Sequence, residues 1–133
     1  MESHLKMFAS TILEDKMLRP EEIHKLAMKE VGDFLTEEGF EFLAVNSQPK
    51  KDPQFVCLKD QKLHFVVVCG SLYPENPKKF DLKLLLDIKD HSIKYKATTY
   101  YAGVGFANAK DYDLPLTQSD RYAVNFDGLQ IIE

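Results

Sequence analysis

The chain carries two cysteines, Cys57 and Cys69, and four histidines, His4, His24, His64 and His91. These are the residue types from which nucleophiles, redox pairs and zinc sites are built. Cys57 and Cys69 lack CxxC spacing, and no histidine pair lies at ligand spacing beside them. They read as buried structural thiols. The histidines are scattered, no Ser-His-Asp arrangement follows from their spacing, and each reads as a surface or edge residue. Gly103-Val104-Gly105 lies inside an apolar segment, whereas a phosphate loop needs its glycines between a strand and a helix. Glycine within a strand marks a bulge or a close backbone approach. Tyr100, Tyr101, Tyr112 and Tyr122 could line a groove, but alternating aromatics are the usual material of sheet packing.

The elements that must position these residues follow from periodicity. Leu5, Phe8, Ala9, Ile12 and Leu13 recur at helical spacing, which predicts a short helical arm over 4–17. That arm would pack on the domain or form a homodimer interface. Pro20 suits a first helical position, and Glu21 and Glu22 suit the positive end of the helix dipole. Ile23, Leu26, Ala27, Glu30, Val31, Phe34 and Leu35 then follow, and Gly39 caps the far end. The spacing predicts a helix over 20–38.

Strands are expected at 40–45, 54–58 and 64–69, with a loop at 46–53. Phe65-Val66-Val67-Val68 is too apolar for a strand with one wet face, so it should be central and covered on both sides. A turn centred on Asp60-Gln61 sets the register of strands two and three. Gln54 then lies opposite Val67, and Asp52 opposite Cys69, each pair sharing a face. The same register puts Cys57 and Cys69 on opposite faces. Gly70 to Pro77 reads as a loop. A second helix spans 78–95, with Phe80, Leu84, Leu85, Ile88 and Tyr95 toward the core. A strand at 97–107 follows, and this connection favours a right-handed parallel crossover. Residues 108–133 are read as loop plus an edge strand near Tyr122–Phe126. The fold class is therefore α/β (α+β), with one mixed sheet flanked by helices.

The 133 residues fit one domain of the usual size. An apolar share of 44% with 29% charged residues argues for a globular chain and against disorder. Net charge is −4 and the pI about 5.6, whereas a general nucleic-acid binder needs basic excess to neutralise phosphate. Nucleic acid is thus not favoured as a partner. No signal peptide and no membrane-length apolar run is visible. With two free thiols, a cytoplasmic protein is expected.

Three segments carry a resemblance. They are Pro53-Gln54-Phe55-Val56, the turn Lys59-Asp60-Gln61-Lys62, and Phe65-Val66-Val67-Val68-Cys69. With the later helix and the Tyr101-Ala102-Gly103-Val104-Gly105 strand, their order αβββαβ resembles the restriction-endonuclease-like core of the PD-(D/E)XK nuclease superfamily, over about residues 20–107. In that family a Pro-Asp and a Glu-x-Lys hold Mg²⁺, which activates a water and stabilises charge on phosphate. The resemblance puts Gln54 at the first acid, Val67 at the second and Cys69 at the lysine. Glutamine offers one neutral oxygen, valine offers no ligand, and a thiol is soft and poorly matched to Mg²⁺.

The resemblance therefore implies a nuclease fold that has lost its catalytic groups and serves as a binding or scaffolding module, with no cofactor. The alternative is a Mg²⁺-dependent nuclease with relocated ligands: Asp52, two residues along the same face, joined by Glu75, Asp81 and Glu30. On the bland reading these four are loop and helix-surface carboxylates.

Overall fold

The computed structural model describes residues 16–48 and 52–133. The expected arm at 4–17 lies almost wholly outside them. Its last residues are not helical, because Met17 forms an isolated antiparallel bridge with Thr117.

Helix α1 (Pro20–Glu37) starts where the sequence places it. Pro20 gives up an N–H that has no partner in a first turn anyway. Glu22 accepts a 2.7 Å bond from Arg19 Nε, which anchors that turn. Gly39, at φ +85°, then reverses the chain. Its N–H reaches Thr36 O, and Phe40 N–H reaches Leu35 O.

Five strands lie side by side in sequence order: β1 (Glu41–Val45), β2 (Phe55–Lys59), β3 (Lys62–Leu72), β4 (Thr98–Asn108) and β5 (Tyr122–Asn125). The first three form an antiparallel meander. Helix α2 (Leu82–Ile93) carries the chain over to β4, which runs parallel to β3. The fold is α+β with a mixed sheet. Two-residue β6 (Gln130–Ile131), which the sequence reading missed, pairs with β4 beside β5.

The β2–β3 register is the one the turn implies, with Phe55 against Val66 and Cys57 against His64. Asp60 and Gln61 both adopt positive φ, 53° and 64°. That is the backbone of a type I′ hairpin, reached here without the usual Asn-Gly.

Helices cover both faces of β3. On one side Ile23, Ala27, Val31 and Leu35 of α1 pack on Cys57, Val66, Val68 and Val104. On the other, Leu85 and Ile88 of α2 pack on Val67 and Tyr101. The central, doubly covered strand expected from its apolar run is thus β3.

Several details differ from expectation. Strand β3 continues through Gly70, Ser71 and Leu72, because β4 pairs with it as far as Phe106. Helix α2 begins only at Leu82, since Asp81 is extended and caps it by accepting the Leu84 N–H at 3.2 Å. Leu84 and Tyr95 are exposed, and Phe80 packs from the segment before the helix. Among the described residues no helix is long and apolar enough to cross a membrane.

Candidate functional site

Strand β3 has 11 residues, while its neighbour β2 has five. Beyond Val66 the β2-side edge of β3 therefore loses its strand partner. Gln54 fills the first gap. Its backbone N–H donates to Val66 O at 3.0 Å, and its side-chain Oε1 accepts the Val68 N–H at 2.7 Å. The side chain substitutes for a rung of the ladder and is almost fully buried. Its Nε2 donates to Asp52 Oδ1 at 2.5 Å.

Past that point a cleft of about 350 Å³ opens along the β3 edge. The start of α1 contributes Pro20 and His24, and Asp52 comes from the loop before β2. Val67, Val68, Cys69 and Gly70 form the floor. Lys79, Phe80, Asp81 and Leu84, around the start of α2, close the far side, with Tyr101 beneath. The volume falls in the range of small-molecule pockets.

The three motif positions thus meet as the register requires. Val67 and Cys69 line the cleft, and Gln54 holds Asp52 at its mouth. Of the four carboxylates proposed as relocated ligands, Asp52 and Asp81 line it. Glu75 lies in an adjoining hollow that shares Cys69, Gly70, Lys79 and Tyr101. Glu30 is six residues beyond His24 on α1, and neither hollow includes it.

Among the described residues these groups are not gathered as a hard cation requires. Mg²⁺ needs several convergent oxygens in near-octahedral geometry. Oδ1 of Asp52 already accepts from Gln54, and Oδ1 of Asp81 already caps α2. Val67 supplies no donor atom, and Cys69 supplies sulfur. Among the described residues no group of three or more His, Cys, Asp or Glu side chains is placed to hold a metal.

Two of the expected burial states differ in the structure. Cys57 is buried, and burial pushes its thiol up to about 11. Cys69 is exposed rather than buried, at the floor of the cleft. The strand that would have covered it ends at Phe55. The two thiols do point to opposite faces, Cys57 into the α1 side of the core.

His24 was expected at the surface and is only 7% exposed. It lines the cleft, and sequence reasoning missed it although a signal existed. His24, Met28, Val31 and Leu35 recur at helical spacing, and all four are buried. Its Nε2 is buried without a hydrogen-bond partner. Burial lowers its pKa, and the Asp52 carboxylate opposes that in part. His64 is half-buried, its ring 5.1 Å from Phe40 and 5.6 Å from Tyr100.

Tyr101 lies under α2, and its hydroxyl donates to Pro77 O at 2.9 Å. Burial is the main reason that its pKa is raised, with the Cys69 thiol adding to the effect. Residues 21–132, from the first turn of α1 through β6, match a model described as a domain of unknown function, DUF8840. The chain belongs to the DUF8840 family. No curated protein and no solved structure matches it. The DUF8840 match includes the Gln54 bridge and every residue lining the cleft except Pro20.

Proposed function

We propose that this chain is a nuclease-type fold of the PD-(D/E)XK class whose ion-binding groups are gone, and that it acts as a binding module through the cleft on the β3 edge. Three features support the reading. The element order is αβββαβ, the three-strand meander is followed by a helical crossover into a parallel strand, and Gln54, Val67 and Cys69 gather at one point. The observation that carries it is the Gln54 carboxamide. One end completes the sheet at Val68 N–H and the other restrains Asp52. The position where the family resemblance expects a cation ligand is occupied by a structural brace.

A brace of this kind keeps the cleft open at fixed width without contributing charge. The walls remain mainly apolar, and a few polar groups converge on them, which is the general form of a ligand site.

The test is incubation of the purified chain with single- and double-stranded DNA and with RNA, in Mg²⁺ and in Mn²⁺. No cleavage above background is expected, and Asp52→Ala should change nothing. Metal-dependent cleavage that Asp52→Ala abolishes would replace this reading with a working nuclease using relocated carboxylates.

A further inference from the structure

The cleft on the β3 edge combines three features that select for one chemistry. Two carboxylates, Asp52 and Asp81, flank it. Each has one oxygen engaged by the protein, by Gln54 Nε2 and Leu84 N–H respectively. The His24 imidazole, more than nine-tenths buried, lines the same cleft with Nε2 unpartnered. Two aromatic rings, Phe80 and Tyr101, line it with centroids 5.0 Å apart.

We propose that this cleft binds a primary ammonium or guanidinium group carried on an apolar stem. This rests on the binding-module reading above and supplies its ligand class. The carboxylates provide the counter-charge. A buried polar nitrogen left without a partner is costly, and a ligand N–H would satisfy it. Aromatic faces attract a cation that has left bulk water. The apolar stem would lie on Val67, Leu84 and Leu85.

Burial disfavours the imidazolium form of His24. The ring is therefore neutral at physiological pH and can accept through Nε2 when its proton sits on Nδ1. An imidazolium there would repel the ligand.

Two features bear on the opposite sign. Lys79 is exposed at the rim, so its ammonium stands in water. The positive end of α2 also faces the cleft, but the Asp81 carboxylate sits on it as the cap, which neutralises its pull on an outside anion. Phosphate would meet two carboxylates, half-buried Asp52 and exposed Asp81, against the single exposed Lys79. The balance favours a cation.

The experiment is a titration of the full chain, ¹⁵N-labelled, with benzylamine, followed by amide chemical shifts. Benzoate and benzyl alcohol, of nearly the same shape, serve as controls. N-acetyl-arginine amide and n-butylamine distinguish a basic side chain from a free amine as the source. Benzylamine should give saturable shifts at Cys69, Gly70 and Leu84, and the two controls should not. Asp52→Asn and Asp81→Asn should each weaken it about tenfold, the loss of one charge-assisted contact. Asparagine retains the oxygen that Gln54 or Leu84 uses, so both variants keep the brace and the cap. An unchanged circular dichroism spectrum and melting temperature would confirm that.

Benzoate binding as well as benzylamine, shifts confined to other surfaces, no saturation with any probe, or unchanged affinity in both variants would overturn the proposal. Each of those results leaves the inactive-nuclease reading standing. Metal-dependent cleavage would sink that reading whether or not the amine binds.

Discussion

The Gln54 side chain and the Val68 backbone form a hydrogen bond of 2.7 Å that extends the sheet beyond the end of β2. Gln54 is 1% exposed and Val68 is 4% exposed, so water cannot replace the bond if it is lost.

Substitution of Gln54 should therefore be costly, and the type of substitution should matter. Gln54→Leu fills similar space but leaves Val68 N–H unpaired, at about 1–3 kcal/mol. Gln54→Glu keeps an acceptor for Val68 but sets a second carboxylate against Asp52 and removes the Nε2 donor. Like charges this close disfavour ionisation of both. The stability loss of Gln54→Glu should be largest near pH 7 and shrink toward pH 4. Urea unfolding at the two pH values measures it. A Gln54→Leu variant as stable as the parent would contradict this role.

How much of this was legible in the sequence varies element by element. The register of β2 and β3 was readable because a two-residue turn at Asp60-Gln61 admits one pairing, and the α1 stripe was readable from period. The juxtaposition of Gln54, Val67 and Cys69 followed directly. The exposure of Cys69 was not readable, because it depends on β2 stopping at Phe55, three residues short of the position opposite Cys69. The burial of His24 was missed for a different reason. The polar type of histidine points to the surface, whereas its place in the 24, 28, 31, 35 series puts it on the buried stripe of α1. Strand β6 is only Gln130–Ile131, too short to carry any period, and its pairing is set by the packing of the tail against β4.

The two thiols should differ sharply in reactivity. Thiolate is the reactive form, and Cys57, buried and with a pKa of about 11, is almost wholly protonated at pH 8. Cys69 is exposed. Ellman's reagent at pH 8 should label one thiol per native chain quickly and both in denaturant. Cys69→Ser should remove the fast phase. Two fast thiols in the native chain, or a fast phase that survives Cys69→Ser, would show that the core around Cys57 opens.

Acid should destabilise the fold through His24. Burial lowers its native pKa below the ordinary histidine value of about 6.5, with Asp52 opposing. Lys79 and Asp81 also face this cleft. Above pH 7 the ring is neutral in both the folded and unfolded chains, so it contributes no pH dependence. As pH falls below about 6.5 the unfolded chain takes up a proton that the native chain resists, and stability drops. The drop ends once pH passes the native pKa. Unfolding free energies between pH 7.5 and 5 should therefore fall more for the parent than for His24→Gln. Equal slopes would show that His24 protonates as easily in the fold as outside it.

The turn before α2 is locked onto β4 by contact rather than by sequence pattern. A Cβ built on Gly103 would lie 1.9 Å from Pro77 O, and Tyr101, two residues earlier on the same face, donates its hydroxyl to that oxygen at 2.9 Å. The glycine therefore permits the close approach, and the tyrosine holds it. Gly103→Ala cannot be accommodated without moving the Pro77 segment, with an overpacking cost of about 1–3 kcal/mol or more. Tyr101→Phe removes that bond, together with the longer contact of the same hydroxyl to Lys79 O at 3.4 Å, and leaves the Pro77 carbonyl short of a donor, at about 1 kcal/mol. Because both changes act through Pro77 O, the double variant should cost less than the sum of the two singles. Once Gly103→Ala has pushed the carbonyl away, the tyrosine hydroxyl has little left to lose. Thermal melts of the four proteins in that cycle decide it, and strict additivity would mean that the two residues stabilise the turn independently.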